Sequence, residues 1–432
     1  MEPVKQALPA QEFKPDIITV GAGPVGLCFA IEEALLALNN NAPKRNHLII
    51  EKHEIYERLH VVILQDRAFA RCVKHPLFDP IMQEFQKAKN IPTADLENKF
   101  LALIHKLGIK ILYEEVKEPK DLPKRFPTAK VIVGAGGSRG IIRTKIFKDA
   151  MRRQEEFAYA CEIKYRVKGK AENFSPVDMY KMMKKVETIV DERCGKPRED
   201  GTSPVTTRFF ITKEEYDALK AQNVTFRNPL TLAEINKMPA SLREKITYWR
   251  QVKKELLNEE PVENSEKITI TPLGFYSSRE FVKKDPDRDV TWVLVGDEAC
   301  GAPLFTSLNN GFESAHELAR AVDNYFRGVM PSLWNFLWDW RGTPYRYEAY
   351  EGNVDRNFAQ YASFQLYHTD LHFADITAKF AALNLGKALL YINNNLPWQF
   401  VPTIELKPPA KEKIEDNWEH MEKNNNELFV RC

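Results

Sequence analysis

The chain has 432 residues, 44% hydrophobic and 28% charged, which is ample for a buried core and too long for one ordinary domain. Lys and Arg number 62 against 60 Asp and Glu, and without a long single-sign block this balance argues against nucleic acid as a partner. Cys28, Cys72, Cys161, Cys194, Cys300 and Cys432 are scattered with no CxxC pair, so reduced thiols in a cytoplasmic setting are expected rather than a disulfide framework or a zinc knuckle.

In chain order, residues 1–15 are polar and Pro-containing and read as a loose arm. No signal-peptide profile is visible in them, and no later run approaches the ~20 apolar residues of a membrane span. DIITV (16–20) is an apolar run ending at Gly21 and predicts a buried parallel strand. A helical pattern from Pro24 to about Leu38 and a second strand, LIIEK (48–52), complete a βαβ unit. RLHVVILQDRAFARCVKHP is ambiguous between loop and helix. Leu96, Phe100, Leu101, Ile104 and Leu107 then lie at helical spacing, Gly108 stands at the C-cap position, and IKILYEEV is the strand after it. KVIVGAGG (130–137) is another strand ending in glycines.

From about 157 to 290 the chain changes character. FAYACEIKYRV, VTTRFFI and EKITITPLGFYSSREF carry alternating, β-branched and aromatic residues, while 232–257 reads as helix. TWVLV (291–295) returns to the apolar-run-plus-glycine style, a helix is predicted from Leu308 to Val322, and the region after 331 looks mainly helical up to about 395. The expected organisation is therefore an α/β nucleotide domain made of 16–156 and 291–330, a sheet-rich domain of 157–290 inserted in it, and a helical C-terminal region, 331–432.

The chemistry starts at Gly21-Ala22-Gly23-Pro24-Val25-Gly26. The first glycine permits a tight turn, the second lets a diphosphate approach the backbone, and the third lets helix and strand pack closely. The helix N-terminus offers free N–H groups to phosphate. Glu51, at the end of the second strand, is placed to bond a ribose hydroxyl, although the gap to it exceeds the usual ~20 residues.

DIITVGAGPVGLCFAIEEALL and LIIEKHEIYER resemble the N-terminal segment of FAD-dependent monooxygenases of the para-hydroxybenzoate-hydroxylase type (class A), and especially the monooxygenase domain of the MICAL proteins. IPTADLENKFLALIHKLGIKILYEEV resembles that family at the same relative place. The resemblance maps an acidic-basic pair and a later arginine of MICAL onto Glu51, Lys52 and Arg58. TWVLVGDEACGAPLFTSLNNGFESAHELARAV is similar to the family's second FAD motif, so Gly296, Asp297, Pro303, Asn309 and Gly311 are implied cofactor residues. Asp297 would accept from the ribityl chain, and the helix start near Asn309 would face the flavin pyrimidine ring. FAD, NAD(P)H as transient reductant, and oxygenation of a small molecule or a protein side chain follow as what the resemblance implies.

Departures from the family pattern are local. Gly136 stands where the family's middle motif, Ala-Asp-Gly, has its Asp, while Gly134, Ala135, Gly137 and Arg143 fit it. The loop after Pro303 is about two residues short, with Ser307 in a common glycine position. Ala94, Asp95 and Glu97 occupy the place of a family Arg or Gln. These changes open an alternative: an FAD-fold binding or regulatory protein with little turnover. Arg67 and Arg71 follow the acidic strand where the family lines its cofactor, and Arg71 joins the candidate set. Tyr276 and Arg279 are candidates for a substrate-facing strand. The Trp334–Trp340 cluster reads as packing. His368 and His372 lie four apart on a helix but lack a third ligand at telling spacing, so no metal site is expected.

Overall fold

The computed structural model describes residues 13–54, 61–88, 90–226, 228–303, 306–330 and 353–395. Arg58 and the Trp334–Trp340 cluster fall outside them. Strand β1 (Ile17–Val20), helix α1 (Pro24–Asn39) and strand β2 (His47–Glu51) form the first βαβ unit, with β1 and β2 parallel. The ambiguous stretch after β2 resolves into a short strand, β3 (Val61–Ile63), and a single turn of helix, α2 (Arg67–Ala70). Helix α3 (Asp79–Ala88) leads to β4 (Asn90–Pro92), which pairs antiparallel with β3. Helix α4 (Thr93–Lys106) ends at Gly108, whose φ of +70° reverses the chain into β5 (Lys110–Tyr113). A short α5 (Leu122–Arg125), strand β6 (Val131–Gly134) and α6 (Ile141–Lys145) close the first segment.

The chain then crosses into an antiparallel sheet through β7 (Met151–Lys168), α7 (Pro176–Val186), β8 (Val190–Cys194), β9 (Thr202–Ile211), α8 (Lys213–Ala221), α9 (Ala240–Leu257) and β10 (Lys267–Ser278). It returns through β11 (Val282–Lys284) and β12 (Thr291–Leu294), touches the antiparallel sheet again with β13 (Cys300–Gly301), and ends in α10 (Thr306–Arg327) and α11 (Arg356–Asn395). The first sheet has the order β11-β12-β6-β1-β2-β5, parallel except for the edge strand β11; the second has the order β13-β10-β7-β9-β8. Every residue of β1, β2, β6 and β12 is buried, as expected for parallel strands covered on both faces.

Two boundaries differ from the sequence reading. The antiparallel sheet begins at Met151 rather than 157, and Val282–Lys284 pairs with β12 in the first sheet, because its register brings buried Val282 opposite Val293. The stretch 232–257 is not one helix: a tight 3-10 turn, Leu232–Lys237, stops before Pro239, whose ring cannot continue a helix, and α9 starts afresh at Ala240.

One face of the antiparallel sheet packs on α7, α8 and α9 around Trp249 and Phe209. Its other face receives α11: Phe157 stacks on Phe380 at 4.9 Å, and Phe275 meets Phe373 edge-on at 5.2 Å. Helix α11 also reaches the first domain, where the Tyr361 hydroxyl donates to Leu294 O at 2.7 Å. Among the described residues no helix is long and apolar enough to cross a membrane.

Candidate functional site

The three motif glycines are constrained in different ways. Gly21 has φ +113°, its N–H donates to Ile50 O at 2.8 Å, and a Cβ there would overlap the carbonyl of Ala135. A Cβ at Gly26 would overlap Gly21 O, so strand and helix touch backbone to backbone. Gly23 is the opposite case: nothing lies within 4 Å of where its Cβ would be. It caps a helix that opens with Pro24, and no side chain caps the first N–H groups of α1.

Glu51 lies against this turn. Its Oε2 accepts from Ala22 N at 2.8 Å and its Oε1 from His53 N at 2.9 Å, so both oxygens are held and the carboxylate is aimed. Lys52 follows and is exposed.

The second motif meets the first through one side chain. A Cβ at Gly296, where φ is +62°, would stand 3.0 Å from Val25 Cγ1, and one at Gly311 would overlap Val25 Cγ2. Val25, the second residue of α1, is thus wedged between the turn after β12 and the start of α10. Sequence segments some 270 residues apart converge on one spot because glycine alone leaves room for that valine. Asp297 is half-buried, and its carbonyl accepts from the Tyr276 hydroxyl at 2.6 Å. The Arg143 guanidinium sits over the Tyr276 ring at 4.9 Å. Burial drives the Tyr276 phenol well above its usual range.

Glu298 explains the altered middle motif. Its carboxylate is 0% exposed; Oε2 accepts from Gly136 N at 2.6 Å and Oε1 from Arg143 N at 2.9 Å. A Cβ at Gly140 would overlap it, one at Gly134 would come within 2.9 Å, and one at Gly136 within 3.2 Å. The glycine-rich loop is wrapped around a carboxylate delivered from the second motif. Burial pushes this carboxyl up to about 7, against the opposing pull of the backbone N–H groups of Arg143 and Gly136. Ser307 has a comparable local reason: its hydroxyl accepts from Ala302 N at 2.8 Å and closes the shortened loop.

Asn309 is buried and stitches α10 to β3, accepting from Gln65 N at 2.7 Å and donating to Ile63 O at 3.0 Å. Pro303 is buried just before the loop. Arg71 pairs with Glu317 at 2.9 Å, on the flank of α10. Arg67 enters a polar cluster that the sequence did not reveal: it donates to Asn310 Oδ1 at 3.1 Å and lies 3.4 Å from Glu313 Oε1 and 3.2 Å from His372 Nδ1. Glu313 Oε2 is 2.7 Å from His368 Nε2, which supplies the third donor that the His368–His372 spacing lacked. Desolvation, with His368 and Arg67 adding to it, holds His372 neutral. Asn310, His368 and His372 line a crevice with Gly296, Cys300, Gly311, Gln365 and Thr369 that has no room for a water molecule. Burial pushes the Cys300 thiol up to about 12, so it is not a reactive thiolate.

No protein-family model matches the chain, and no curated protein matches it. Solved structures do. BexE, studied for oxidation during BE-7585A biosynthesis, superposes over 88% of this chain and 73% of its own, with a TM-score of 0.51 at 14% identity. This is the fold of the flavin-dependent monooxygenases. CabE, an aromatic hydroxylase from angucycline biosynthesis, matches over 87% of this chain and 75% of its own (TM-score 0.44, 14% identity). Aklavinone-11 hydroxylase, solved in a ternary complex with FAD and aklavinone, matches over 76% and 65% (TM-score 0.45, 13% identity).

Proposed function

We propose that the chain is an FAD-dependent oxidoreductase of the monooxygenase type, using NAD(P)H and O₂ to oxygenate a bound substrate. The observation that carries this reading is the wedging of Val25 between Gly296 and Gly311, with Gly23 open beside it and Glu51 aimed at the same turn. The donor set fits the nucleotide half of FAD. The N-terminus of α1 at Gly23 and Pro24 would hold the diphosphate, packed tightly through Gly21 and Gly26. Glu51 would hold the ribose, with Lys52 and Arg58 beside it as the MICAL resemblance implies. Gly296 and Asp297 would take the ribityl chain, and Pro303, Asn309 and Gly311 would shape the start of α10 against the ring. Arg71, already paired with Glu317, is the weakest member of the set. When bound, FAD supplies electron transfer and oxygen activation. The protein's share is to orient it, exclude water and keep Glu298 buried behind the loop.

One observation favours a second reading, a flavin-fold regulatory protein with little turnover. Helix α11 lies close over Gly296 and Gly311 and leaves no space there that admits a water molecule, whereas ordinary small-molecule pockets hold roughly 300–1,000 Å³. Turnover then requires α11 to yield. The substrate class, a small molecule or a protein side chain as in MICAL, follows from what displaces it. Among the described residues five cysteines are free, which fits a reducing, cytoplasmic setting.

The test is a visible spectrum of the purified protein, before and after incubation with FAD, followed by aerobic NADH and NADPH oxidation. A yellow protein that consumes reductant supports the enzyme; a yellow, inert one supports the regulatory reading. A protein that takes up no flavin sinks both.

A further inference from the structure

On the side of α1 packed against α10, a second group of side chains meets inside the core. Cys28 and Glu32 lie one turn apart on the same face of α1, His316 projects from α10, and Cys72 follows α2. Cys28, Glu32 and His316 are each 0% exposed, and Cys72 is 6% exposed. Donor atoms of Cys28, Glu32 and His316 all fall within 4.8 Å of one another, while the Cys72 thiol stands outside this group and donates to Val73 O at 3.8 Å.

The His316 ring decides what this group is for. Its Nε2 is 2.8 Å from Ala68 O, and a carbonyl can only accept, so Nε2 carries the proton. In a neutral ring Nδ1 is then a bare lone pair, yet it stands 2.7 Å from Glu32 Oε1 without the geometry of a hydrogen bond. Two lone pairs at that separation, away from water, repel unless positive charge lies between them. A proton there would make a directed N–H···O bond, which the atoms do not form; Glu32 Oε1 also accepts from Val73 N at 3.3 Å, and Oε2 has no hydrogen-bond partner. Among the described residues no lysine or arginine forms an ion pair with Glu32. The other cluster, Glu313 with His368 and His372, differs on this point, because Arg67 already brings a positive charge to within 3.2 Å of His372.

We propose that Cys28, Glu32 and His316 bind a divalent cation of the zinc class in a buried site that pins α1 to α10. One sulfur, one imidazole nitrogen and one carboxylate oxygen make three of the four ligands such an ion takes. The Ala68 carbonyl on Nε2 supplies the outer contact that fixes the tautomer of a metal-bound histidine. On binding, the Cys28 thiol gives its proton to solvent as its sulfur–metal bond forms, and the ion changes no oxidation state. The group escapes a motif search because His316 stands 288 positions after Cys28 and only the fold brings them together.

The experiment uses the full chain. It is equilibrated with Zn²⁺, freed of loose metal and analysed by mass spectrometry for bound ion; the metal is then exchanged for Co²⁺ and the absorption spectrum recorded. The expected result is about one ion per chain, with the intense sulfur-to-cobalt absorption and visible bands of a tetrahedral thiolate site. Cys28→Ser should abolish the sulfur band, His316→Gln should lower the bound metal at least about tenfold, and His368→Ala and Cys72→Ser should leave both unchanged. Less than about 0.1 ion per chain in the wild-type protein overturns the proposal, as does bound Co²⁺ without a sulfur band. Retention of the metal in both Cys28→Ser and His316→Gln overturns it too. If a variant fails to fold, the wild-type cobalt spectrum still decides.

Discussion

Gly23 and Gly26 belong to one motif but answer to different forces, and substitution separates them. Gly26→Ala forces a methyl into the carbonyl of Gly21 and should cost about 1–3 kcal/mol by overpacking, read from denaturant midpoints. Gly23→Ala meets no atom within 4 Å, so the melting temperature should hold while FAD affinity, followed by flavin fluorescence quenching, falls at least about tenfold. Glu298 makes a pH prediction. Its carboxyl, raised from an ordinary 4.5 to about 7, is kept neutral in the folded state while the unfolded chain ionises. Its contribution is therefore whole below pH 4.5, shrinks as pH climbs to about 7, and is then constant. The loss is up to about 3 kcal/mol. Glu298→Gln should flatten the stability profile across that window; an unchanged slope would show that the group titrates normally.

The elements show which parts of this architecture could be read in advance. The glycines at 21–26 and at 296 and 311 were legible because their requirement is steric, local and tied to fixed spacings. The strands around them were legible as uninterrupted apolar runs. Glu298 was not: it follows Asp297 without distinction, and its partners at Gly136 and Arg143 lie more than 150 positions away. His368 and His372 were legible as a pair, but Glu313, on another helix, carried no signal in spacing. The 3-10 turn before Pro239 was hidden by a helical pattern that continues across it. Helix α11 is the element whose placement no periodicity could give, since its contacts are with both sheets. Its hold on the first sheet rests partly on Tyr361, 2% exposed and bonded to Leu294 O. Tyr361→Phe should cost about 1–2 kcal/mol, measured by thermal unfolding, because a buried carbonyl loses its donor.

Taken together, two sheets with separate cores are bridged by α11, whose Phe373, Ile376 and Phe380 complete the apolar layer over Phe275, Phe157 and Phe210. The bridge should make the protein unfold as a unit. Phe380→Ala, at a 2% exposed position stacked on Phe157, should cost about 3–5 kcal/mol and split the denaturation curve into two steps. A single sharp transition in that variant would mean the sheets are coupled elsewhere.

The strand order carries one more consequence. Strand β12 lies beside β6, yet more than 150 residues, the antiparallel sheet and its helices among them, are synthesised between them. While the ribosome makes that insert, the flank of β6 stays bare and Val25 has no glycines to nest between. The nucleotide domain must wait, half-built, for its last strand, which makes the nascent chain a natural client for chaperones.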